Sequence, residues 1–195
     1  MFIDYITLLL INMAAGLAAL ACFVYRGICS PNPRPYAAVF AATGLVAVAF
    51  GAHMSMTWPI PQVAPMKLNL TFANIAYGEM SVLLGVLFLA AALAVALGWS
   101  LRPLAVYAAL AGSAAIVVGA AIASMNLTLT PIRAGVGFVL SGLAGILIGP
   151  LLIWRVPKLY RAFLALVLLA AAALWAYTAL DAYWGHIRRF STFTP

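Results

Sequence analysis

The sequence predicts an all-α fold, a single six-helix transmembrane domain over residues 1–195, and three observations predict it. Hydrophobic residues make up 67% of the chain and charged residues only 7%, with a mean hydropathy of +1.15. A water-soluble fold needs roughly a quarter of its residues charged to cover its surface. Apolar residues gather in six charge-poor runs, each near the ~20 residues that cross a bilayer. Most of the prolines and charges fall in the breaks between those runs. Such a composition leaves no length for a soluble catalytic or nucleotide-binding domain, so function must reside in the helices or their connections.

The elements follow in order. The first span covers Tyr5–Tyr25 and stops at Arg26; its only early charge is Asp4. Without a basic leading segment it reads as a retained helix, not a cleaved signal peptide. The second covers Tyr36–Met56, ahead of WPIPQVAP, and the third Tyr77–Leu97, ahead of GWSLRP. The fourth runs Leu104–Met125, the fifth Ile132–Trp154 and the sixth Leu159–Tyr183. Pro35, Pro103, Pro131 and Pro157 stand at or just before helix starts, where a missing amide costs nothing.

Orientation follows from counting cations by side. Connections one–two, three–four and five–six hold Arg26, Arg34, Arg102, Arg155, Lys158 and Arg161; the other side holds Lys67, Arg133, Arg188 and Arg189. Six against four puts the first set in the cytoplasm and both termini outside the cell membrane. The net charge of +7 then anchors the chain to lipid headgroups and does not signal nucleic acid. Cys22 and Cys29, near the cytoplasmic face, are expected to be reduced.

That topology collects the ionisable groups. Asp4, His53, Glu79, Asp181 and His186, which are every acid and both histidines, fall at the outer face, as do all the methionines except Met13. Carboxylates and imidazoles near hydrocarbon are costly and invite a functional reading. His53, Glu79 and His186 form a legitimate metal-ligand set, with Asp4 and Asp181 as supporting partners. His53 and His186 are also the one histidine pair able to hold a haem. Met54 and Met56 beside His53 suit copper, so haem, copper and zinc are each compatible. The plainer reading stands beside it. Asp4 and Glu79 compensate helix dipoles, His53 bonds a loop carbonyl, and Asp181 pairs locally with Arg188. His186 lies five residues past Asp181, about 140° round a helix.

Packing signals are separate. Gly137, Ser141, Gly145 and Gly149 step by four along the fifth span, a small-residue stripe for close helix approach, and Gly112 and Gly119 offer a matching groove. Asn12, Thr43, Ser81 and Ser113 are the uncharged polar groups within spans, each expected to bond its own helix or a neighbour. GLVAVAFGAHMSMTWP in the second span echoes SAAIVVGAAIASMNLT in the fourth, and NLT occurs at Asn69–Thr71 and Asn126–Thr128. The implied repeat is a two-helix hairpin. The connection from Trp58 to Ile75 is proline-rich and long enough to form a lid over the outer face.

FGAHMSMTWP, YGEMSVLLGVLF and AYWGH together resemble an uncharacterised prokaryotic membrane family, domain of unknown function 981, over nearly the whole chain. The family pattern is a His-Met pair before Thr-Trp-Pro, a Gly-Glu segment opening the next span, and Trp-Gly-His near the end. Here these are His53, Met54, Thr57, Trp58 and Pro59, then Gly78 and Glu79, then Trp184, Gly185 and His186. The resemblance implies weight for the histidines and Glu79 and supplies no activity.

Three functions compete, and whether the chain is an enzyme stays open. The first is binding of a metal, haem or quinone near the outer face, alone or as a subunit of a redox complex. The second is a small-solute or ion transporter, which usually needs charged residues or broken helices at the midplane. The third is a structural or accessory subunit that meets a membrane-complex partner or a second copy of itself.

Overall fold

The computed structural model describes residues 5–57 and 72–191, apart from the side chains of 189 and 190. Helices α1 (Tyr5–Tyr25), α2 (Pro35–Thr57), α3 (Met80–Leu97), α4 (Leu104–Ser124), α5 (Pro131–Ile153) and α6 (Lys158–Ser191) follow one another, with no strand among the described residues. A short 3-10 turn, Gly27–Cys29, follows α1, and a π-helical turn, Asn74–Glu79, leads into α3. Each of the six is long and apolar enough to cross a membrane, α3 together with its π turn. The third span therefore starts three residues before the expected Tyr77, and α6 continues past Tyr183 to Ser191, so His186 lies within a helix. Hydropathy misses the tail of α6 because it is built mainly from polar, charged and aromatic residues.

Punctuation is local and chemical. Gly98 ends α3 at φ 71°, and the amide of Trp99 bonds Ala94 O at 2.8 Å, closing the last turn. Asn126 does the same after α4 at φ 53°, a left-handed position that asparagine tolerates, with Leu127 N bonded to Ile122 O at 3.2 Å. Pro131 opens α5, where its absent amide removes no bond.

The helices form a closed ring in chain order, α6 returning to pack along α1. Three pairs are intimate, α2 with α3, α4 with α5 and α6 with α1, while the seams between pairs are looser and that between α3 and α4 is the sparsest. Small residues explain the intimacy, since apolar side chains gain little by leaving lipid for a neighbouring helix and backbone approach must supply the contact. In α2 and α3, a Cβ on Gly44 would fall 2.8 Å from Gly85 O and one on Gly51 2.8 Å from Gly78 O. In α4 and α5, a Cβ on Gly119 would fall 2.7 Å from Gly135 O, and Gly112 abuts Gly142 backbone to backbone. Both hairpins thus carry two glycines seven apart on each helix.

The expected stripe on α5 divides between two neighbours. Gly145 faces Gly112 of α4, whereas a Cβ on Gly137 would strike the Trp175 indole of α6 at 2.6 Å, and Gly149 has open space. Ser141 Oγ accepts a 2.9 Å bond from Trp175 Nε1 and donates to Gly137 O at 2.8 Å. A step of four drifts around a 3.6-residue helix, so one stripe meets two partners. Gly135 and Gly142, at a step of seven, also meet α4, at Gly119 and Gly112.

Candidate functional site: an apolar cleft and its rim

Inside the ring lies an apolar cleft in two overlapping parts. The part nearer the Tyr5 end is lined by residues such as Leu10, Met13, Tyr77, Leu87, Ala111 and Phe138. The part nearer the Tyr25 end includes Leu20, Phe40, Phe88, Leu104, Ile148 and Leu168. Leu84, Leu87, Ala108, Ser141 and Gly145 line both, so the two adjoin. From Leu9 to Phe23 along α1 the lining extends about 21 Å at 1.5 Å per residue. Helices α3 and α4 both line it, and theirs is the sparsest seam between successive helices.

The lining of this cleft includes three polar side chains, Tyr77, Ser81 and Ser141. Tyr77 is 9% exposed, and its ring packs 5.5 Å from Phe138, which meets Trp175 edge-on at 5.1 Å. Its hydroxyl bonds none of the described residues, and it is not one of the fully buried polar atoms left without a partner. Ser141, by contrast, is committed to Trp175 and Gly137. The π turn aims Tyr77. Residues 74–79 form a wider turn than an α-helix, and Gly78 rests on α2 where a Cβ would lie 2.7 Å from Ser55 Oγ. Pinned there, the turn leaves Tyr77 buried and Glu79 exposed. Such π turns are rare and recur at functional sites.

The expected site residues stand at the same end of the ring but apart. His53 is exposed, lies 5.1 Å from the Tyr5 ring, and shares a 3.3 Å contact between its Nδ1 and Thr57 Oγ1. Neither a hydrogen bond nor an ion pair joins it to Glu79. His186 is half-buried on α6 and engaged in an interaction of its own. With α6 helical throughout, it keeps its 140° offset from Asp181. Among the described residues no three of His, Cys, Asp and Glu form a group that could hold a metal. Asp4, Lys67, Trp58 and Pro59, with the proposed lid, lie outside the described residues.

Asp181 is paired across helices. Its Oδ2 accepts a 3.0 Å bond from Arg133 Nη1 of α5, and the same guanidinium lies 5.1 Å from the Tyr177 ring. Arg133 displaces the expected partner Arg188 because one turn of α6 presents Asp181 and Tyr177 together to α5. Cys22 and Cys29 are free thiols. Asn12 Nδ2 donates to Thr43 O at 3.0 Å, tying α1 to α2, and Ser113 bonds its own helix at Ala109 O, 2.8 Å.

The model of the family described as "Protein of unknown function (DUF981)" matches residues 1–189. The chain belongs to this family. No curated protein and no solved structure matches it. In this DUF981 chain the Gly78-Glu79 segment coincides with the π turn that carries Tyr77. The sequence marks Tyr77 only as the start of the third span, since hydropathy does not reveal a π turn. Nor does it mark the Arg133–Asp181 pair, whose partners lie 48 residues apart.

Proposed function

We propose that this DUF981 protein binds a lipophilic ligand of the prenyl-quinone class inside its helical ring. The isoprenoid chain lies in the apolar cleft, entering from the bilayer through the α3–α4 seam. The head sits at the Tyr5 end, where Tyr77 donates a hydrogen bond to a quinone carbonyl and Phe138 offers a ring face. The observation that carries this reading is the Tyr77 hydroxyl, bonded by none of the described residues, in a mostly apolar cleft. Pockets of this kind, apolar with a few placed polar groups, are the usual form of small-ligand sites. His53, Glu79 and His186, at the same end, serve in this reading as proton-exchanging groups around the head, with Asp4 and Asp181 setting their local charge.

The test is organic extraction and mass spectrometry of protein purified in native-lipid particles. Wild type should retain a prenyl quinone at near one per chain, enriched over surrounding lipid. Ala111→Trp, which fills the cleft, should abolish the enrichment, and Tyr77→Phe should weaken retention about 5–10-fold, the worth of one buried hydrogen bond. Quinone at the bulk-lipid ratio in wild type, or full retention in Ala111→Trp, would overturn the reading.

A further inference from the structure

At the Tyr25 end the ring carries charge of one sign only. The chain has three acids, and all stand elsewhere: Asp181 and Glu79 at the Tyr5 end, and Asp4 next to Tyr5 in sequence. Around Tyr25, three cations converge from two helices. Arg26 Cζ and Lys158 Nζ each lie 5.9 Å from its ring centroid, and Arg161 Nη1 donates to its carbonyl at 3.4 Å and to Cys29 Sγ at 2.7 Å. Among the described residues Arg161 Nε is buried with no hydrogen-bond partner.

This arrangement is electrostatically incomplete. Lys158 and Arg161 occupy the first turn of α6, the positive end of the helix dipole, where acids are favoured and cations are not. A π face and one carbonyl neutralise none of the three charges. The cluster also stands at the end of two membrane-crossing helices, the level at which the phosphates of a bilayer lie.

We infer that Arg26, Lys158 and Arg161 form a site for the phosphate of an anionic phospholipid. The lipid phosphate supplies the missing negative charge, facing the α6 amino end and bridging α6 to the end of α1. Basic pockets between transmembrane helices commonly hold such headgroups. This site lies at the opposite end of the ring from Tyr77 and does not depend on the quinone reading.

The experiment compares bound lipid, by native mass spectrometry, and thermal stability in nanodiscs of phosphatidylcholine alone or with phosphatidylglycerol added. Wild type should retain phosphatidylglycerol selectively and melt higher in its presence. Lys158→Gln and Arg26→Gln, both changes of exposed side chains, should each weaken retention roughly fivefold. Arg161→Gln should do at least as much; because Arg161 also binds α1, the two exposed variants carry the test if it fails to fold. Arg102→Gln, on the same face but outside the cluster, should behave as wild type. Equal losses in Arg102→Gln and Lys158→Gln would mean diffuse attraction and overturn the site. Equal retention of both lipids would overturn it as well. Full stabilisation by inorganic phosphate in phosphatidylcholine nanodiscs would overturn the lipid as its source.

Discussion

Trp175 shows what a single residue does in this bundle. Its indole is 1% exposed, fills the notch left by Gly137, and spends its one donor on Ser141. Ser141→Ala should cost about 1 kcal/mol, the size of interhelical hydrogen bonds in membranes. Trp175→Phe should cost more, by the lost indole contacts, and the double variant should fall short of the sum because the partners are shared. Reversible unfolding in mixed micelles would measure this; strict additivity would mean that the bond contributes nothing. At the same scale, Asp181→Asn should loosen α5 from α6 by at most about 1 kcal/mol, as Asp181 is over half exposed. Arg188→Gln should change nothing, and the reverse order would reinstate the local pair. The sequence presented the wrong partner because spacing along one helix is visible in it and the approach of another helix is not.

At the scale of elements, the spans were legible and their partners were only partly so. Charge-free runs and prolines locate every helix to within a few residues, except where the tail of α6 uses residues that hydropathy ignores. Gly44 and Gly51 of α2 and Gly112 and Gly119 of α4 do the same work in two hairpins. Gly142 sits against Gly112 with no room for a side chain. Gly142→Ala should therefore cost about 1–3 kcal/mol through forced separation of α4 and α5. Gly149→Ala meets open space and should be neutral or stabilising by up to about 1 kcal/mol from helix propensity. Thermal melts of the two variants side by side would check this, and a neutral Gly142→Ala would refute backbone contact there. The cleft between these elements was not legible, because an enclosed volume depends on which faces meet.

At the scale of the molecule, three intimate pairs joined by loose seams make the ring separable at defined places. A chain cut in the α3–α4 connection, at Trp99–Ser100, severs the sparsest seam and leaves all three pairs whole. The halves 1–99 and 100–195, expressed together, should assemble and copurify through α1 and α6. A cut between α4 and α5, at Leu127–Thr128, divides a glycine-packed pair and should assemble less well. Copurification with a tag on one half reads the outcome, and failure of the first cut alone would refute the pairing scheme. Among the described residues the charges separate by end on the same scale, with Glu79, Asp181, His53 and His186 around the Tyr5 rim and cations alone around the Tyr25 rim, as the order of charges along the sequence led one to expect.

The return of α6 to α1 also has a consequence in time. Some 130 residues separate the end of α1 from the start of α6. At roughly 5–20 residues per second of synthesis, α1 waits on the order of ten seconds for its partner. Until then its alanine-rich face, with Ala14 and Ala21, is covered by lipid alone, while α2–α3 and α4–α5 zip as each emerges. The last helix made is thus the clasp of the ring, and a ribosome stalled before α6 leaves an open horseshoe in the bilayer, a natural substrate for membrane quality control.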